Sequence, residues 1–187
     1  MTVSPVDDPT RDPPGRWAAL AVLSIACLLG MTPWFSASAV LPRLVEAWNL
    51  SSSAAAWLTI AVQLGFVAGA VGSAVLTLAD VVRPRRLFLL GCLGAAVANA
   101  GLLLATSAVT AIPLRFATGA FLAGVYPPAM KSMATWFRAD RGTALGVLVG
   151  ALTVGSAMPH LVNGFGGGEW RVVVVVTSVL TVTGGLI

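Results

Sequence analysis

Five long apolar runs and the start of a sixth fill almost all of the chain after Arg16, at about residues 17–40, 54–78, 87–106, 111–137, 142–165 and 172–187. An α-helix rises about 1.5 Å per residue and the hydrocarbon core of a bilayer is about 30 Å thick, so roughly 20 apolar residues cross it. The first five runs reach that length and predict membrane-spanning helices. The sixth rises only about 24 Å before the sequence stops. The expected fold is an all-α, polytopic transmembrane helix bundle of about six helices with the last truncated, either a cut-short product or half of a larger machine.

Charge supports this reading. Hydrophobic residues make up 57% of the chain and charged residues 10%, where a soluble domain carries about 25% charged. A net charge of +4 raises the question of nucleic acid, but the basic residues sit in short loops between apolar runs. Arg11, Arg16, Arg83, Arg85, Arg86, Lys131, Arg138 and Arg141 fall on one side of the predicted membrane and Arg43 and Arg171 on the other. That asymmetry places the N-terminus and the 79–86 and 137–141 loops in the cytoplasm, with the plasma (inner) membrane as the expected location. Residues 1–16, with Pro5, Pro9, Pro13 and Pro14, read as a disordered cytoplasmic tail ahead of a six-span domain over 17–187. Ser36, Ala37, Ser38 and Ala39 resemble a signal-peptide cleavage site, but the run is longer than a signal core and further spans follow.

Local signals set the boundaries. Ser51, Ser52 and Ser53 can cap the second span, and Pro113 suits the first turn of a fourth span starting near Ala111. Gly166, Gly167 and Gly168 mark a loop, and Trp17, Trp48 and Trp170 suit membrane interfaces. Leu41–Asn49 is too polar to cross and is expected to extend the first helix outside the membrane. Pro33, Pro127, Pro128 and Pro159 predict kinks. Gly65 and Gly69, and Gly142, Gly146 and Gly150, recur every four residues and predict close helix contacts, or surfaces that slide.

Few polar residues interrupt the spans. Arg115 lies inside a span, where charge is costly and marks function by default; the alternative is an anchor snorkelling to the nearby interface. Gly119, Leu122 and Tyr126 share its helix face, which predicts a cavity lining. Arginine pairs well with carboxylates and oxyanions, so an organic or inorganic anion is the solute it suggests. His160, with Thr153 and Ser156 on its face, is a candidate for proton coupling or a packing histidine. Gln63, Trp34 and Phe35 are further candidates for solute contact, with interface anchoring as the other reading of the two aromatics. Asn99 reads as a helix–helix hydrogen bond. Asp80 with Arg83, Arg85, Arg86, Arg138 and Arg141 could form a cytoplasmic latch broken in one conformational state, or the arginines could serve as simple positive-inside anchors. The acidic residues Asp80, Asp140, Glu46 and Glu169 all lie outside the spans, so carboxylate-based coupling has no support here. Cys27 and Cys92 lie in apolar runs without metal spacing, and no phosphate loop or nucleophile triad appears, so neither an enzyme nor a cofactor is expected.

Three stretches resemble the amino-terminal half of major facilitator superfamily transporters. The loop from Gly72 to Arg86, with Asp80 and the Arg85–Arg86 pair, is similar to the family's loop between the second and third spans, with Val81 where a basic residue is usual. Arg115 followed by Gly119 is similar to its fourth-span motif. Gly124–Lys131 with Trp136–Gly142 resembles the fourth span, its cytoplasmic loop and the start of the fifth. Gly146 and Gly155 fit the fifth-span antiporter pattern, but Pro159 and His160 replace its glycine–proline pair, which argues against a drug exporter. The resemblance implies a secondary carrier that moves a small solute by alternating access between two six-helix halves. This chain would supply one half, needing a carboxy-terminal six-helix half or a second copy. The competing expectation is a membrane scaffold without transport, or an inactive truncated remnant.

Overall fold

Pro33 interrupts the first span. Without an N–H it cannot donate to the Leu29 carbonyl, and the Thr32 amide meets that acceptor instead at 3.3 Å. In the computed structural model, which describes residues 12–138, 140–165 and 169–187, α1 (Arg16–Gly30) therefore ends before residues 31–35. Helix resumes as α2 (Ser36–Ala39) and α3 (Leu41–Trp48). The apolar run 17–40 is thus not one continuous helix. The polar segment after it is a separate helix, closed by Asn49 in the left-handed region at φ 48°.

The second span, α4 (Ser52–Val75), is capped by Ser51, whose hydroxyl accepts from the Ala54 amide at 3.2 Å. The short α5 (Leu78–Val81) leads into α6 (Pro84–Ala100), which tightens into a 3-10 turn over Gly101–Leu104. The fourth span is α7 (Ala108–Leu122) and α8 (Tyr126–Trp136), broken between them. It begins at Ala108, so Pro113 lies inside the helix instead of in its first turn. α9 (Arg141–Phe165) and α10 (Trp170–Leu186) complete the bundle. Among the described residues, four stretches are long and apolar enough to cross a membrane: Ser52–Val75, Pro84–Leu104, Ala108–Trp136 and Arg141–Phe165. α1 and α10 are shorter apolar helices.

The packing follows a repeat. The second span lies along the fourth, the first along the fifth, and the third along the sixth; the third also meets the fourth, and the first the sixth. Exchanging spans one to three with four to six maps this set of neighbours onto itself. The two broken spans, first and fourth, are equivalents in that exchange. Such an arrangement is a three-plus-three repeat of neighbours.

Glycines set the closest crossing. A Cβ on Gly119 would overlap the Val62 carbonyl oxygen, and one on Gly65 or Gly69 would overlap the carbonyls of Phe116 or Ala120. Gly142, Gly146 and Gly150 differ: a Cβ on any of them meets nothing within 4 Å. Close contact is thus seen at the second span; in this part of the fifth no other described part of this chain meets the three glycines, and Gly155 is the one set against the Leu28 carbonyl.

Two apolar cores are stacked along the bundle. One contains Leu20, Cys27, Phe88, Leu122, Met133 and Leu148. The other contains Val40, Leu44, Leu58, Leu102, Ala111 and Val173. Between the cores, the first span, α6 and α7 bury polar residues (Thr32 and Ser36, Asn99, Arg115 and Thr118), and α10 adds Thr177, Ser178 and Thr181 beyond Val174. The sequence expectations for Arg11, for the tail up to that residue and for Gly166–Gly168 lie outside the described residues.

Candidate functional site

The polar layer converges on the break in the first span. Arg115 reaches it from α7 and is completely buried. Its Nε donates to the Leu58 carbonyl at 3.3 Å. Nη1 donates to the Pro33 carbonyl at 3.0 Å and to the Ser36 hydroxyl at 3.2 Å, and Nη2 to the Trp34 carbonyl at 2.5 Å. A guanidinium has five N–H donors, and these contacts engage four. The side chain therefore does not snorkel. Its helix face, with Thr118, Gly119 and Leu122, packs inside the bundle and does not line an open cavity. In this arrangement Arg115 acts as a clasp, supplying a donor to the Trp34 carbonyl at the break and further donors to the Pro33 and Leu58 carbonyls.

The segment it holds carries aromatic side chains. Trp34 stacks edge-on to Phe66 of α4 at 5.2 Å and lies 6.4 Å from the Phe35 ring. Phe35 in turn lies 6.3 Å from the His160 ring of α9. An aromatic run thus joins the first, second and fifth spans at the break. Trp34, Phe66 and Tyr126 are partly buried against one apolar core, while His160 and Gln63 are exposed. Gln63 precedes Phe66 by three residues and so shares its helix face. The hydroxyls of Thr153 and Ser156 bond back to their own helix, to Val149 and Thr153 carbonyls at 2.9 Å each. Sequence reasoning missed Phe66, and missed Ser36 and Thr32; the available signal was their four-residue spacing across Pro33.

At the basic end of the bundle, Asp80 meets Lys131 of α8 at 2.7 Å, and the same ammonium donates to the Ala79 carbonyl at 2.7 Å. This is not the set of arginine partners expected for it. Arg83, Arg85 and Arg86 form no ion pair among the described residues. Arg16 pairs with Asp12 and with Asp140, and lies over the rings of Trp17 and Phe137. Asp12 also accepts from the Arg138 amide, and Arg141 Nε donates to the Phe137 carbonyl at 2.9 Å. Among the described residues the ion pairs therefore form two groups, one tying Asp80 to α8 and one tying the start of α1 to the 137–141 loop, with Arg83, Arg85 and Arg86 in neither.

Comparison with known proteins places this geometry in context. The model of the family described as Major Facilitator Superfamily matches residues 23–187. The chain is similar to the multidrug efflux pump LfrA of Mycolicibacterium smegmatis, 31% identical over 157 residues, covering 83% of this chain and 31% of that protein. It thus spans about a third of the length of the curated relative it matches.

Proposed function

The chain belongs to the major facilitator superfamily, and from that premise we propose that it is the amino-terminal six-helix half of a secondary transporter that exports apolar, aromatic solutes by alternating access. It is an integral membrane protein of a transport family. The proposed orientation puts the N-terminus in the cytoplasm at the plasma membrane, on the charge asymmetry of its loops. A second six-helix half, from the same polypeptide or another copy, is proposed to cover the faces left open by this one. Those faces are α4 at Trp57, Leu64, Val67 and Val71, and α9 at Val147, Val154 and the bare glycines.

The observation that carries the substrate class is the aromatic run of Trp34, Phe35, Phe66 and His160 across three spans. Such rings offer a polarisable, apolar contact surface. Similarity to an efflux pump favours export, against the expectation drawn from Pro159 and His160. The anion reading loses its support, because Arg115 is enclosed and spends its donors on the first span and on Leu58. In the full-length carrier, Trp34→Ala and Phe66→Ala should each raise the apparent KM for a fluorescent aromatic dye at least fivefold at unchanged membrane abundance. An unchanged KM for the dye, with saturable transport of an organic anion lost in Arg115→Gln, would replace this reading by the anion one.

The Asp80–Lys131 pair is proposed as the latch. Its side chains are 74% and 47% exposed, so it adds at most about 1 kcal/mol to stability. Asp80→Asn and Lys131→Met should therefore leave abundance unchanged while slowing initial transport rates several-fold and by the same factor. Unaltered rates in both variants would remove the latch role.

A further inference from the structure

Asn99 is fully buried on α6, and its carboxamide bridges two other spans. Its Oδ1 accepts from the Ser36 hydroxyl at 2.5 Å. Its Nδ2 faces the Ser178 hydroxyl at 2.9 Å, the Thr177 hydroxyl at 3.1 Å and the Val174 carbonyl at 3.3 Å. The Val174 carbonyl can only accept, so it fixes which end of the amide points at the sixth span.

The Ser36 hydroxyl has one proton and two acceptors in reach, Asn99 Oδ1 and the Pro33 carbonyl at 3.0 Å. Pro33 already receives Arg115 Nη1 and the Ser36 amide. The proton therefore goes to Asn99. Donors and acceptors then line up in one direction: Arg115 to Ser36, Ser36 to Asn99, Asn99 to Ser178 and Thr177, and these to the Val174 and Val173 carbonyls. On the other side of the break, Thr32 donates to the Thr177 carbonyl at 3.0 Å and lies 3.1 Å from the Thr181 hydroxyl. Both flanks of residues 31–35 are thus pinned to the sixth span, Thr32 directly and Ser36 through Asn99.

We propose that Asn99 is a positioning residue for solute binding: through Ser36 it fixes the outer flank of the broken first span, and so the pose of Trp34 and Phe35 at the aromatic surface. The proposal rests on the reading of that surface as the solute contact. It singles out Asn99 because its loss would untie the flank without stranding a polar group. Ser36 could turn its proton to Pro33, and Thr177 and Ser178 would keep their own-helix acceptors. A purely structural bond would show in stability, whereas a positioning bond shows in affinity.

Two measurements test it. In the full-length carrier, Asn99→Leu should raise the KM for the aromatic dye about fivefold, with maximal rate and abundance within twofold. Ser36→Ala should raise KM similarly, though it leaves the buried Asn99 Oδ1 without its donor and so lowers abundance more; the double variant, which removes that stranded oxygen, should have a KM no worse than either alone, as expected of two residues acting through one bond. Separately, a cysteine placed at Phe35, with Cys27 and Cys92 replaced by alanine, should react with a maleimide at least threefold faster when Asn99→Leu is added. An unchanged labelling rate overturns the proposal whatever the KM does. Unchanged KM in both single variants, while Trp34→Ala raises it, also overturns the proposal and leaves the aromatic surface standing. If Trp34→Ala leaves KM unchanged, the aromatic surface itself is not the solute contact and the positioning role falls with it. Should Asn99→Leu fail to accumulate, Ser36→Ala carries both measurements alone.

Discussion

Replacing Arg115 by lysine is expected to destabilise the bundle by on the order of 3 kcal/mol, even though the charge is kept. The guanidinium reaches acceptors on two spans at once: Leu58 on the second, and Pro33, Trp34 and Ser36 on the first. A lysine ammonium is a single point with three donors and cannot fork across that set. The Trp34 carbonyl would lose the donor that Arg115 provides, and the contacts to the Leu58 and Pro33 carbonyls are buried away from water that could replace a lost donor. Hydrogen bonds to charged groups contribute about 1.5–3 kcal/mol each, and losing two within one network gives the expected figure. At roughly 2–4 °C per kcal/mol for a chain of this size, the thermal midpoint in detergent should fall by about 10 °C. Arg115→Met, which removes all four donor contacts, should lower it further. A midpoint unchanged by Arg115→Lys would mean that the clasp contributes nothing and that the break is held by Asn99 and Thr32 alone.

The spans were legible because hydropathy acts along the chain. Runs of apolar residues must be helical in a bilayer, where each backbone group needs an internal partner. The first-span break was signalled by Pro33, and Asn99 was correctly read as a hydrogen bond between helices. The partners of polar residues were not legible. Arg115 looked like a solute ligand because the carbonyls it meets lie some 80 residues earlier, at Pro33 and Trp34. Main-chain carbonyls leave no mark in a sequence. Lys131 was counted only as a topology charge, although it is the cation that reaches Asp80. The glycines show the same limit: Gly65 and Gly69 share their spacing with Gly146 and Gly150, yet one pair is enclosed and the other bare. Which helix face turns inward is decided by neighbours that one helix does not encode.

That contrast gives a second large effect. Gly119→Leu should abolish accumulation of the folded protein, whereas Gly146→Leu should leave folding intact. Overpacking costs about 1–3 kcal/mol where side chains can shift. At Gly119 the added Cβ meets the Val62 carbonyl and the Phe66 amide, which are backbone of α4 and cannot yield without moving the helix. Moving α4 also opens the reciprocal contacts of Gly65 with Phe116 and Gly69 with Ala120, so the crossing is lost as a unit. It would also draw Leu58, on the same helix, away from Arg115. The Gly146 substitution enters open space on α9. If a second six-helix half packs against that face, Gly146→Leu should then cripple transport by the full-length carrier while the protein still accumulates and melts as the parent does. Normal transport by Gly146→Leu would mean that this face of α9 meets lipid and not the other half. Normal accumulation of Gly119→Leu would mean that the second and fourth spans are not held in the close crossing described.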